Sequence, residues 1–159
     1  MFLAQIVEFL VVTQADSSRF LESVRGSPLT GAALRLFAMQ ELGRLRGYNW
    51  CGVYRLEGDT LVLDEYVGEE TEHTRIPVGR GVCGTSVAEN KNQVIEDVNA
   101  LGNYLACSIS TKSEIVVLIR RGGEILGQID IDGHEVGAFD ASDEAFLEAL
   151  AAILSERWE

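Results

Sequence analysis

Two pairs of β-prone runs, each joined by a short glycine-bearing turn, constrain this chain more than any other feature. Trp50 to Leu56 and Thr60 to Val67 flank Glu57-Gly58-Asp59, and Glu114 to Ile119 and Glu124 to Asp132 flank Arg120-Arg121-Gly122-Gly123. Loops this short join antiparallel neighbours, because a parallel crossover needs a dozen residues or more. Helical periodicity lies outside these pairs. Phe2, Ile6, Phe9 and Leu10, then Phe20, Leu21 and Val24 after Asp16, fit two helices or one broken helix ending at Gly26-Ser27-Pro28. From Thr30, the recurrence of Leu34, Phe37, Ala38, Leu42 and Leu45 predicts an amphipathic helix that Gly47 stops, with Arg35, Glu41 and Arg44 turned to solvent. Asp140 or Ser142 caps a terminal helix whose Phe146, Leu147, Leu150, Ile153 and Leu154 share a face. In the less regular middle, Val82 to Asn90 reads as a short helix and Val94-Ile95 as a buried strand. The expected class is α+β: a central antiparallel sheet with N- and C-terminal helices packed on one face and loops gathered on the other.

At 159 residues and 47% apolar, the chain fits a single domain, with 1–28 as a helical extension and 29–159 as the core. Such a chain hides ~70% of its unfolded surface and needs no disulfide or metal staple. Lys and Arg number 13 against 25 Asp and Glu, for a net charge of −12, which repels nucleic acid and anionic membranes. Cys51, Cys83 and Cys107 are odd in number and widely spaced, which points to a reducing, cytoplasmic setting. The apolar start lacks a basic region and carries Glu8, so it does not read as a secretion signal, and no run reaches the ~18 apolar residues of a membrane span.

Four constellations bear on chemistry. Gly79-Arg80-Gly81-Val82-Cys83-Gly84 has the letters of a dinucleotide-binding glycine motif, but Pro77 interrupts the run before it and no βαβ rhythm surrounds it. It reads instead as a tight turn into a helix, which places Cys83 where the helix dipole favours a thiolate. The cysteines with His73 and His134 contain no close ligand pair, so neither a metal nor another cofactor is expected. In Gln128-Ile129-Asp130-Ile131-Asp132 the period of two puts both acids on one sheet face, within reach of Glu114 on the neighbouring run. Such acids either face solvent or hold a cation or share a proton in a pocket; a cluster of three suits an ammonium group, and one raised pKa supplies a proton donor. Cys51, between Trp50 and Gly52, reads as core; Cys83 and Cys107 are inert buried thiols or reactive ones.

Several of these segments together resemble one family. Asn49-Trp50, Arg75 to Thr85, Glu96-Asp97-Val98, Ala106-Cys107, Ser113 to Val116 and Ile129 to Asp132 are similar to the free methionine-(R)-sulfoxide reductases, which are built on a GAF domain. The resemblance runs from about residue 30 to 155 and implies a thiol reductase acting on the free amino acid. It implies Cys107 as nucleophile, Cys83 as resolving or relay cysteine, Glu114, Asp130 and Asp132 as substrate-binding acids, and Trp50 and Tyr54 as pocket aromatics. Loss of the sulfoxide oxygen requires its protonation, a role for Asp130 and Asp132. A sulfenic acid would then condense with a second thiol, and a thioredoxin-like dithiol would restore the enzyme. Helix-start reasoning alone favours Cys83 as the activated thiol; the resemblance favours Cys107.

The chain departs from the family pattern at several places. His73 stands where the family has a further cysteine, Ser108 where an Asp follows the nucleophile, Asn103-Tyr104 where a Gly-His pair precedes it, and Leu118 where a Pro is common. The alternatives to a reductase are a non-catalytic GAF-type module that binds a small molecule or senses redox state, and a scaffold whose N-terminal helices pair subunits into a homodimer.

Overall fold

The structure is a computed structural model that describes residues 12–102 and 109–159. The helix expected before Val12, and Cys107 with its neighbours Asn103, Tyr104 and Ser108, lie outside the described residues.

Among the described residues, six strands form one antiparallel sheet: β1 (Trp50–Glu57), β2 (Thr60–Val67), β3 (Arg75–Pro77), β4 (Gln93–Ile95), β5 (Ser113–Arg121) and β6 (Glu124–Gly133), in the order β3-β2-β1-β6-β5-β4. Both hairpins turn where the glycines allow. The helices are α1 (Gln14–Gly26), α2 (Gly31–Leu42), α3 (Gly81–Glu89) and α4 (Ala141–Glu156). Thr13 caps α1 by accepting from the Asp16 N–H. At α4 the Asp140 carboxylate accepts from Ser142 N at 2.8 Å, and the Asp143 carboxylate accepts from Asp140 N at 2.9 Å, a reciprocal capping box.

Strand alternation divides the sheet into two faces. Cys51, Val53, Ile115, Val117, Ile119, Ile129 and Ile131 point to one side, where they meet Phe20 and Val24 of α1, Leu34 and Leu42 of α2, and Phe146, Leu147 and Leu150 of α4. Each aliphatic side chain buried there contributes ~1.5–3 kcal/mol, so this face carries the main core. The opposite face holds a smaller cluster of Trp50, Tyr54, Leu61, Ile76, Val82, Cys83 and Val116.

Three local expectations are corrected. Arg35 does not face solvent: it is buried, donates from Nε to Asp64 Oδ2 and from Nη1 to the Trp158 carbonyl, both at 2.5 Å, and lies 4.3 Å over the Trp158 ring. The cause is a bulge in the β1–β2 register, which steps from Glu65 to Leu63 and leaves Asp64 unmatched; such an extra residue re-aims a side chain. Helix α2 ends at Leu42 with Gly43 as its cap, earlier than Gly47, and Leu45 packs on the core from the turn beyond. Val94 is exposed, because β4 is one of the two edge strands of the sheet. No described helix is long and apolar enough to cross a membrane.

Candidate functional site

The face opposite the main core carries three rows of cross-strand neighbours. Glu114 (β5) pairs with Asp132 (β6), which pairs with Trp50 (β1); Val116 pairs with Asp130, and Asp130 with Gly52; Leu118 pairs with Gln128, and Gln128 with Tyr54. Glu114, Gln128, Asp130 and Asp132 are all buried. Of the two readings open for the acids, solvent exposure is excluded. The residues expected at the site that lie within the described chain, Trp50, Tyr54, Cys83, Glu114, Asp130 and Asp132, therefore share one face or the helix that covers it.

Helix α3 is that cover. Gly79 and Gly81 have φ of 92° and 64°, a region that favours glycine, and a Cβ at Gly84 would stand 2.5 Å from the Pro77 carbonyl oxygen. The glycine motif therefore builds a tight turn and a close helix–strand contact. Cys83 falls in the first turn of α3, and its thiol donates to Glu114 Oε1 at 3.7 Å. Ser86, one turn on, donates to its own helix at the Cys83 carbonyl (2.7 Å), and its Oγ lies 2.8 Å from the side-chain amide of Gln128. Ser86 and Gln128 thus tie the thiol-bearing helix to the strand that carries Asp130 and Asp132. Neither was singled out as a site residue from the sequence, although Gln128 has the same parity along β6 as the two acids. Thr111 also escaped notice; its hydroxyl donates to Asp132 Oδ2 at 3.3 Å.

The electrostatics follow from burial of like charges. The Glu114 carboxyl titrates well above the usual carboxylate range, first because it is desolvated and second because Asp130 and Asp132 stand beside it. Burial and the two neighbouring aspartates thereby favour the protonated form of Glu114, the property expected of Asp130 and Asp132 from the sequence. The Cys51 thiol is also pushed upward by burial and by the two aspartates. It lies in the main core, as its setting between Trp50 and Gly52 suggested, and is unsuited to attack.

Trp50 closes one side of the acid row. Its ring stacks on Tyr66 with centroids 5.6 Å apart, and its Nε1 donates to the Glu69 carbonyl at 3.0 Å. A Cβ at Gly52 would stand 2.4 Å from the indole, so the ring lies flat only because position 52 has no side chain. Gly52→Ala is expected to displace Trp50 and cost about 1–3 kcal/mol of stability, read by chemical denaturation together with a change in tryptophan fluorescence. On the other side Tyr54 donates from its hydroxyl to the His73 carbonyl at 2.8 Å. His73 therefore anchors an aromatic through its backbone, where a cysteine was expected from the family pattern.

A pocket of about 290 Å³ opens between the start of α3 and edge strand β4, lined by Val82, Thr85, Gln93, Ile95 and Leu101 among others. Ile95 is the register partner of Glu114, and Val82 precedes Cys83, so the pocket borders the buried thiol and acids.

Comparison with known proteins gives a consistent result. Residues 38–158 match the GAF domain family. The chain is 46% identical over 113 residues to the free methionine-R-sulfoxide reductase of Escherichia coli, an alignment covering 71% of this chain and 68% of that one. Among solved structures, the free methionine-R-sulfoxide reductase of Neisseria meningitidis in complex with its substrate superposes with a TM-score of 0.81 at 33% identity, over 89% of this chain and 85% of that one. The fRMsr of Staphylococcus aureus in complex with substrate gives 0.84 at 31% identity, over 94% and 99%.

Proposed function

The chain belongs to the free methionine-(R)-sulfoxide reductase family of GAF domains, and from that premise we propose that it reduces free L-methionine (R)-S-oxide to methionine through Cys107. The observation that carries this reading is the buried triad Glu114, Asp130 and Asp132 facing the Cys83 thiol from α3. Burying three carboxylates together is costly unless a cation or a shared proton compensates. A substrate ammonium is such a cation, and a proton held by Glu114 is the other half of the balance.

In the proposed sequence, the Cys107 thiolate attacks the sulfoxide sulfur while an acid of the triad protonates the leaving oxygen. Methionine departs, and the oxygen remains on Cys107 as a sulfenic acid. The Cys83 thiol condenses with it, releasing water and forming a Cys83–Cys107 disulfide. A thioredoxin-type dithiol then reduces that bond and is itself oxidised. Trp50 and Tyr54 border the acids and provide apolar surface for the S-methyl group. Thr111, bonded to Asp132, is four residues along the chain from Cys107, which supports a nucleophile delivered to the acid row. The setting is cytoplasmic and the assembly a homodimer; equilibrium sedimentation at two concentrations tests the latter.

The test of the reaction is product analysis by mass after mixing the protein with dithiothreitol and racemic free sulfoxide. Consumption of the R epimer alone is expected; protection of the protein against heat with no methionine formed would instead favour a binding module. Because His73 replaces a further cysteine, Cys83 has the resolving role to itself. Cys83→Ser is therefore expected to release about one methionine per chain in a rapid phase and then stall with thioredoxin as reductant. Sustained cycling in that variant would assign resolution to another thiol.

A further inference from the structure

The fold assembles a ligand set that chain spacing conceals. Cys83 Sγ, a carboxylate oxygen of Glu114 and one of Asp130 all lie within 4.8 Å of one another, and all three residues are buried. They come from α3, β5 and β6, far apart in sequence, which is why no close ligand pair is visible there. Cys83 Sγ is 3.7 Å from Glu114 Oε1. In tetrahedral zinc coordination, with bonds of ~2.3 Å to sulfur and ~2.0 Å to oxygen, such a pair stands about 3.5 Å apart. The two atoms already span a coordination edge. A second feature points the same way: among the described residues, Glu114 Oε2 is fully buried and receives no N–H or hydroxyl donor, and the side chain beside this carboxyl is another acid, Asp130, so a cation would satisfy both.

We propose that Cys83, Glu114 and Asp130 form a reversible binding site for a thiophilic divalent cation of the zinc class. The donor set decides the class. One thiolate with carboxylates in a small dry cluster suits zinc or cobalt, whereas magnesium demands six oxygens in octahedral array and calcium still more. On binding, the Cys83 thiol and the Glu114 carboxyl each give a proton to solvent and coordinate as thiolate and carboxylate, so with Asp130 the ligands supply three negative charges against two positive ones. Resting on the function proposed above, the consequence is inhibition from two directions. The ion occupies acids assigned to the substrate ammonium, and it sequesters the sulfur assigned to resolve the sulfenic acid. A disulfide at Cys83 has no thiolate to offer, so only the reduced protein binds.

Titration of the full, reduced, metal-free chain with cobalt(II), without substrate, tests this. A near-ultraviolet sulfur-to-cobalt band with strong visible bands, saturating at one equivalent and bleached by one equivalent of zinc, is the expected result. Cys83→Ser should abolish the near-ultraviolet band, Cys51→Ala should retain it, and Glu114→Gln should weaken binding about tenfold or more. Absence of the band in the parent protein, its persistence in Cys83→Ser, or displacement of cobalt by millimolar magnesium would each overturn the proposal. Should Cys83→Ser fail to fold, unchanged affinity in Glu114→Gln would overturn it equally. Because no turnover is measured, failure here leaves the reductase assignment standing, and failure of the reductase assay leaves the metal site standing.

Discussion

Cys107→Ser is expected to bring thioredoxin-coupled reduction of the free R sulfoxide down to the uncatalysed background, a loss of about four orders of magnitude or more. A hydroxyl differs from a thiol by one atom, but at neutral pH it offers almost no anion to attack sulfur. The acids proposed to bind the substrate are untouched by the change. The variant should therefore still be stabilised against heat by the sulfoxide, to within about twofold in apparent affinity. Mass analysis of methionine formed, alongside thermal shifts at graded sulfoxide concentrations, reads both halves. Retained turnover would pass the attack to another sulfur. Cys83 is the alternative that a helix start suggests, yet here it is engaged as a hydrogen-bond donor to Glu114 Oε1, and Cys51 is sealed in the main core.

Glu114→Gln is the second large effect, and it separates function from stability. Glutamine keeps the carbonyl acceptor for the Cys83 thiol but can neither donate an acidic proton nor carry charge toward an ammonium. Activity is expected to fall by about 10²- to 10³-fold, while the folded protein becomes more stable. The sign follows from the raised carboxyl. Below the ordinary value of 4.5, folded and unfolded chains both hold the proton, and the contribution of Glu114 to stability is complete. Above it the unfolded chain releases the proton while the folded chain retains it, so stability is lost as pH climbs toward and through the folded-state pKa. The variant escapes that loss. Its melting temperature should match the parent below about pH 4 and exceed it near neutrality, by about 2–4 °C for each ~1 kcal/mol recovered. Melting scans across that range check the trend; a lower melting point at pH 7 would contradict the burial argument.

The strands were readable because turn chemistry and period-two alternation are local properties. Thr60–Val67 and the span of α3 follow from runs and glycines that need no distant partner. The acids on one face of β6 were readable for the same reason. Their burial was not, since it depends on α3 folding over them from another part of the chain. Arg35 misled because its partners, Asp64 on a bulge and the Trp158 carbonyl, are 29 and 123 residues away; a charged residue on a helix carries no local sign of either. Val94 misled because apolar character does not distinguish a central strand from an edge. The Ser86–Gln128 link joins residues 42 apart and is a product of tertiary docking alone.

The sheet works as a partition. Isoleucines 115, 119, 129 and 131 face the helices, while the interleaved residues Glu114, Val116, Leu118, Gln128, Asp130 and Asp132 lie on the opposite face. Foldability and ligand choice are thereby written on alternate letters of the same two strands. A lineage can rewrite one set, exchanging an acid for an amide or an aromatic for an aliphatic, with little disturbance to the other.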